Sequence, residues 1–136
     1  HQCLHRKEGL QGVDRAACGM PDVSYHGENA WQVKTEVSSR QLGVLYAGSD
    51  VDDDECFVAY NMHWIPHVYA LPSPGRNKKW LLAADTERGI LETPEELENQ
   101  KGIELKERSI TILVSAKEKK DASRTKRRKK GGQEKK

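Results

Sequence analysis

The stretch Cys56-Phe-Val-Ala-Tyr-Asn-Met-His-Trp-Ile-Pro-His-Val-Tyr-Ala-Leu71 decides how the chain is read. It is the longest apolar and aromatic run, with one of the three tryptophans, two of the four tyrosines and the single phenylalanine. Phe57 and Ala59 alternate with Val58 and Tyr60 in strand fashion, and both faces are apolar. Proline cannot donate to a ladder, so residues 61–66 read as a bend, and an extended pattern resumes at His67. Two strands joined by a bend and covered on both faces describe the middle of a β-sandwich.

Outward from this centre the turn signals are regular. Residues 41–48, an apolar run closed by Gly48, predict a strand, and residues 49–55 an acidic, solvated loop. Pro72-Ser-Pro-Gly75 is turn chemistry. Strands are predicted over 79–84, 103–106 and 109–115. Thr93-Pro94-Glu95-Glu96 has the form of a capping box with proline at the first helical position, and predicts a short helix ending near Gly102. Toward the N-terminus a helical turn is expected over 13–18, and an ordered loop over 21–27. Six strands and one short helix give an all-β fold, a mostly antiparallel sandwich.

The formal charge of +2 hides two unlike parts. Residues 117–136 carry eleven Lys or Arg against three acids, which leaves residues 1–116 with a net charge of −6. A tail this charged and this poor in apolar residues predicts disorder. Its Lys126-Arg-Arg-Lys-Lys130 run suits an anionic polymer, but no aromatic residue interleaves to stack on bases, which argues against nucleic-acid recognition. Three cysteines without a CxxC pair point away from a disulfide framework or zinc ribbon and toward a reducing, cytoplasmic setting. No apolar run approaches the ~20 residues of a membrane span.

Several groups carry chemistry worth weighing. His63 and His67 lie four apart, and on an extended strand their rings would stand ~13 Å apart, too far to share a metal. Asp50, Asp52 and Asp54 mimic the start of a calcium loop, but Glu55 replaces its glycine and Asn61 its bidentate glutamate, so a solvated turn is expected. Asp22, Glu28 and Asp85 are carboxylates in separate segments, with nothing to oppose them as a glycosidase pair. Cys18 with His26 is the thiol-enzyme alternative, and a buried cysteine is the plainer reading. No metal or cofactor is expected. Trp64 and Trp80 read as core.

Three segments, in order, resemble one family. Asp22-Val-Ser-Tyr-His-Gly27 with Trp31 is similar to the Asp-Ile-Ser-Trp-His-Gly segment of the isoamylase and glycogen-debranching branch of the α-amylase superfamily, glycoside hydrolase family 13. Tyr60-Asn-Met-His-Trp64 with Pro66 and Leu71-Pro72 resembles its Asn-x-x-Trp-x-Pro segment. Trp80 with Asp85-Thr86, then Glu107-Arg-Ser-Ile-Thr-Ile-Leu-Val114, resembles its closing segments. Tyr25 departs from the family's tryptophan, and the basic tail lies outside the pattern.

The resemblance implies a barrel's end and linking loop over 1–38, a C-terminal β-sandwich over 39–116 and a basic tail over 117–136. It implies a parent enzyme that hydrolyses α-1,6 branch linkages in glycogen or starch, with its catalytic carboxylates on upstream barrel strands. This chain would then have the missing catalytic barrel and, through the parent, an α-glucan as partners, and no catalytic residue of its own. Asp22, Tyr25, His26 and Trp31 have the character of a carbohydrate edge, or else pack barrel against sandwich. A free-standing glucan-binding module, and a polyanion binder acting through the tail, are the alternatives.

Overall fold

The computed structural model describes residues 1–6, 8–15, 19–33, 40–51 and 53–118. Eight strands run in the order β1 (Val23–His26), β2 (Gln41–Tyr46), β3 (Cys56–Asn61), β4 (His67–Ala70), β5 (Lys78–Asp85), β6 (Gly89–Glu96), β7 (Gly102–Leu105) and β8 (Ser109–Lys117). Six form one antiparallel sheet, ordered β1-β2-β3-β8-β5-β6, while β4 and β7 pair as a second, two-stranded sheet. The chain is all-β among the described residues, with only two short 3-10 turns, Gln2–Leu4 and Ser49–Val51.

The central stretch falls as its pattern requires. β3 lies between β2 and β8, and residues 62–65 break the chain so that β4 leaves for the second sheet. Leu45, Phe57, Ala59, Trp80 and Leu113 of the large sheet bury against Tyr69, Leu71 and Leu105. The polar tips of the two big aromatics are satisfied: Tyr69 Oη donates to the Tyr60 carbonyl at 2.6 Å, and Trp80 Nε1 to the Pro72 carbonyl at 2.8 Å. Gly43 makes room for Phe57, because a Cβ there would stand 2.6 Å from Phe57 Cζ.

The opposite face of the large sheet buries Cys56, Val58 and Val114 under Cys3 of the N-terminal segment. Tyr46, Tyr60, Leu81, Ile110 and Ile112 are only partly covered there. Tyr25, on the same face by its register with Val44 and Val58, is exposed.

Four expectations need correction. The segment 21–27 is not a loop: Val23–His26 pairs antiparallel with β2, Val23 opposite Tyr46 and His26 opposite Gly43. Its core-facing residues, Ser24 and His26, are polar and satisfy one another, so no apolar alternation marked the strand. The expected helix from Thr93 is instead β6, an edge strand on β5. Leu97 was the sole apolar residue over 93–101, and a helix that short with no apolar stripe is not self-supporting. Pro94 is tolerated because the strand lies at the sheet's edge. The helical turn expected over 13–18 is not seen at 13–15, while residues 16–18 lie outside the described residues. Trp64 is exposed, not core. The basic run 126–130, and the boundary expected near residue 38, also lie outside the described residues.

Candidate functional site

Asp22 immediately precedes β1 and His26 ends it, and both are buried. The Asp22 carboxylate accepts from the backbone N–H groups of Gln11, Gly12 and Val13, at 3.1, 2.7 and 3.2 Å, and from Arg15 Nε at 2.9 Å. Burial alone would push its carboxyl up, but Arg15 and the three N–H groups outweigh it and hold the pKa at about 2. A carboxylate so fully occupied has no capacity left for acid–base work. It pins the N-terminal segment to the sheet.

His26 is held as tightly. Its Nδ1 accepts from the Trp31 backbone N–H at 2.7 Å, so the neutral ring carries its proton on Nε2, which donates to Ser24 Oγ at 2.9 Å. Burial lowers its pKa to about 4. The same bond holds Trp31 in a left-handed conformation (φ 65°), with its indole against the His26 ring edge at 4.6 Å and half its surface open. Of the four residues expected at a carbohydrate edge, Asp22 and His26 are therefore internal anchors. Trp31 and Tyr25 are the ones a ligand could touch, and Tyr25 projects from the sheet's other face.

A second group gathers at the bend between β3 and β4. Asn61 Nδ2 lies 3.0 Å from the carbonyls of Ile65 and Lys106, and its Oδ1 accepts from the His63 N–H at 3.2 Å. The bend folds His63 and His67 together, their ring centroids 5.1 Å apart and edge to face, where an extended chain would have separated them. His67 Nδ1 lies 2.7 Å from Glu28 Oε1, and its buried Nε2 has no partner among the described residues. His63 stacks on Trp64 at 4.4 Å, and the Arg40 guanidinium lies over the same indole at 5.0 Å. Trp64 is 59% exposed, its indole held by His63 and Arg40.

Asp85, Glu87 and Glu55 are likewise occupied. Asp85 accepts from the N–H groups of Glu87 and Arg88, which shapes the β5–β6 turn beside a cleft of about 420 Å3 lined in part by Leu82, Thr86, Arg108 and Thr111. Glu87 across that cleft is paired to Lys106. Glu55, expected in a solvated loop, is buried against Lys78 Nζ at 2.8 Å and Ser115 Oγ at 2.6 Å. The calcium-loop reading cannot be followed at Asp52, nor the thiol reading at Cys18, since both lie outside the described residues.

The partners of these groups could not be read from spacing. Arg15 for Asp22, Arg40 for Trp64 and Glu28 for His67 meet only once the sheets assemble. The chain matches no protein-family model, and it has no significant match among curated proteins.

Proposed function

We propose that this chain is the C-terminal portion of a glycogen- or starch-debranching α-glucan hydrolase, a β-sandwich that supports and borders a catalytic barrel carried upstream. The observation that carries this reading is the convergence of the family-like segments. β1, the end of β3, Trp80 and Asp85 of β5, and β8 are spread over ninety-odd residues of sequence, yet all lie in one sheet. The anchored Asp22 and His26 give the Asp-Val-Ser-Tyr-His-Gly segment a structural task. The partly covered apolar face with Tyr25, Tyr46 and Tyr60 gives a barrel something to cover. Cleavage of the α-1,6 bond by the retaining two-carboxylate route would then belong to the upstream part. The free thiols of Cys3 and Cys56 suit a reducing, cytoplasmic enzyme. Among the described residues no helix is long and apolar enough to cross a membrane.

Sequencing the gene upstream of His1 tests this directly. An open frame of several hundred codons with alternating strand and helix patterns is expected, and a start codon immediately before His1 overturns it. Reducing sugar released from glycogen or pullulan by residues 1–136 alone would refute the claim that the chain has no turnover of its own.

The exposed indoles of Trp64 and Trp31 favour a second reading, a glucan-binding module, since aromatic side chains pack on sugar rings. Retardation in a glycogen-containing native gel, weakened by Trp31→Ala and by Trp64→Ala, would support it. Unretarded migration counts against it.

A further inference from the structure

Outside the family-like segments, the N-terminal 3-10 turn meets the acidic loop before β3. His1, Cys3 and Asp53 each bring one metal-ligating atom there, and the three atoms lie within 4.8 Å of one another. The meeting has a local cause. Val51 and Asp53 both donate their N–H groups to the Gly48 carbonyl, at 3.0 and 2.9 Å, which folds the loop onto Gly48 so closely that a Cβ there would lie 2.4 Å from the Asp54 carbonyl oxygen. That fold aims the Asp53 carboxylate at the first turn. Its Oδ2 accepts from the Cys3 N–H at 3.2 Å, its Oδ1 from the Asp54 N–H at 2.8 Å, and the same Oδ1 lies 3.2 Å from His1 Nδ1.

We propose that His1 Nδ1, Cys3 Sγ and Asp53 form a binding site for a thiophilic divalent cation, zinc above all, which clips the N-terminal segment to the sheet. Imidazole, thiolate and carboxylate are the three donor types zinc takes, and three protein donors leave a fourth, tetrahedral position for water. Donors on such an ion stand about 3.4 Å apart, the tetrahedral edge for bonds near 2.1 Å. His1 and Asp53 already have that separation, and the exposed His1 ring is free to adjust toward Cys3. Cys3 is fully buried and Asp53 partly buried, held by its bonds to the Cys3 and Asp54 N–H groups, which fixes two corners of the site. The backbone N–H groups of Cys3 and Asp54 orient the carboxylate, as outer-shell donors do in metal sites. Binding replaces the S–H bond of Cys3 with a sulfur–metal bond and releases one proton to solvent. The clip would close over Cys56 and Val58, the part of the open sheet face that Cys3 already covers.

The test is a Co2+ titration of the reduced 136-residue chain, carried behind a short N-terminal extension so that the imidazole and not a free α-amine is the donor. A near-ultraviolet thiolate-to-cobalt band is expected, displaced by Zn2+, together with a Zn2+-dependent rise in Tm. Cys3→Ala should abolish the band. Asp53→Asn and His1→Ala should each weaken Zn2+ binding about tenfold or more, the usual cost of losing a metal-site residue. His5→Ala should leave binding unchanged. His1 and His5 are exposed, so both variants remain folded and interpretable. No charge-transfer band overturns the site. So does a band lost in His5→Ala but kept in Asp53→Asn, because that pattern describes a linear chelate within residues 1–5 that needs no fold.

Discussion

The Asp22 carboxylate closes the N-terminal loop through three N–H groups and a guanidinium. Asp22→Asn keeps the shape but removes the charge that Arg15 faces. Three N–H groups then face a neutral amide, and disturbing the bonds of one buried group costs about 1–3 kcal/mol, so a clear fall in urea midpoint is expected, and an unchanged midpoint would show that the loop is held otherwise. The acid limb of stability divides between two groups. His26 has a folded pKa of about 4 against an ordinary 6.5, so between those values the unfolded chain binds a proton that the folded chain refuses. Stability therefore falls as pH drops from 6.5 toward 4. Asp22 acts lower, its contribution intact above pH 3.8 and lost as pH falls toward about 2. Thermal unfolding followed from pH 7 to 4 should show Tm decline in the wild type and a flatter profile in His26→Gln. Equal slopes would assign the decline to other groups.

At the scale of elements, what could be read in the sequence was what apolar periodicity controls. β2, β3, β5, β7 and β8 follow from runs such as 41–48 and 109–115, whose side chains enter the two cores. β1 and β6 were illegible for opposite reasons. β1 turns Ser24 and His26 inward, and β6 is an exposed edge whose local signal, Thr93-Pro94-Glu95-Glu96, favours a helix that pairing with β5 overrides. Of the carbohydrate-edge residues, chemistry alone could pick Trp31 and Tyr25 but could not say that Asp22 and His26 would be consumed internally. The His63–His67 contact was missed because a spacing of four was measured along an extended chain, whereas Asn61 folds the bend. Asn61→Ala removes those side-chain bonds at a buried site. A loss of about 2–3 kcal/mol is expected. The two imidazoles should also move apart, seen as loss of ring-to-ring cross-relaxation by NMR, and an unchanged His63–His67 signal would give the bend to Pro66 instead. The ion pairs along β6 are a contrast. Arg88–Glu95 is exposed on both sides, so Arg88→Ala should leave the urea midpoint essentially unchanged.

The molecule as a whole is lopsided. One face of the large sheet is covered by β4 and β7, while over the other, among the described residues, Cys3 and Val51 pack and Tyr46, Tyr60, Leu81, Ile110 and Ile112 stay half-buried beside an exposed Tyr25. Contiguous apolar surface of this kind marks an interaction face in a stable protein and an aggregation face in an isolated one. If the face belongs against a barrel, residues 1–136 purified alone should associate with rising concentration, through the sheet face and not through the charged tail. Salt then separates the causes: apolar association persists or strengthens at high ionic strength, whereas attraction between the basic tail and the acidic body weakens. Tyr25→Lys places a charge where the side chain is 54% exposed and pairs across the ladder with Val44, so it burdens the interface while sparing the core. Light scattering at several concentrations should show the wild type associating and Tyr25→Lys remaining monomeric, with unchanged circular dichroism. A wild type that stays monomeric at millimolar concentration would mean the face is adequately covered by the chain itself, and the case for a missing barrel would then rest on the sequence resemblance alone.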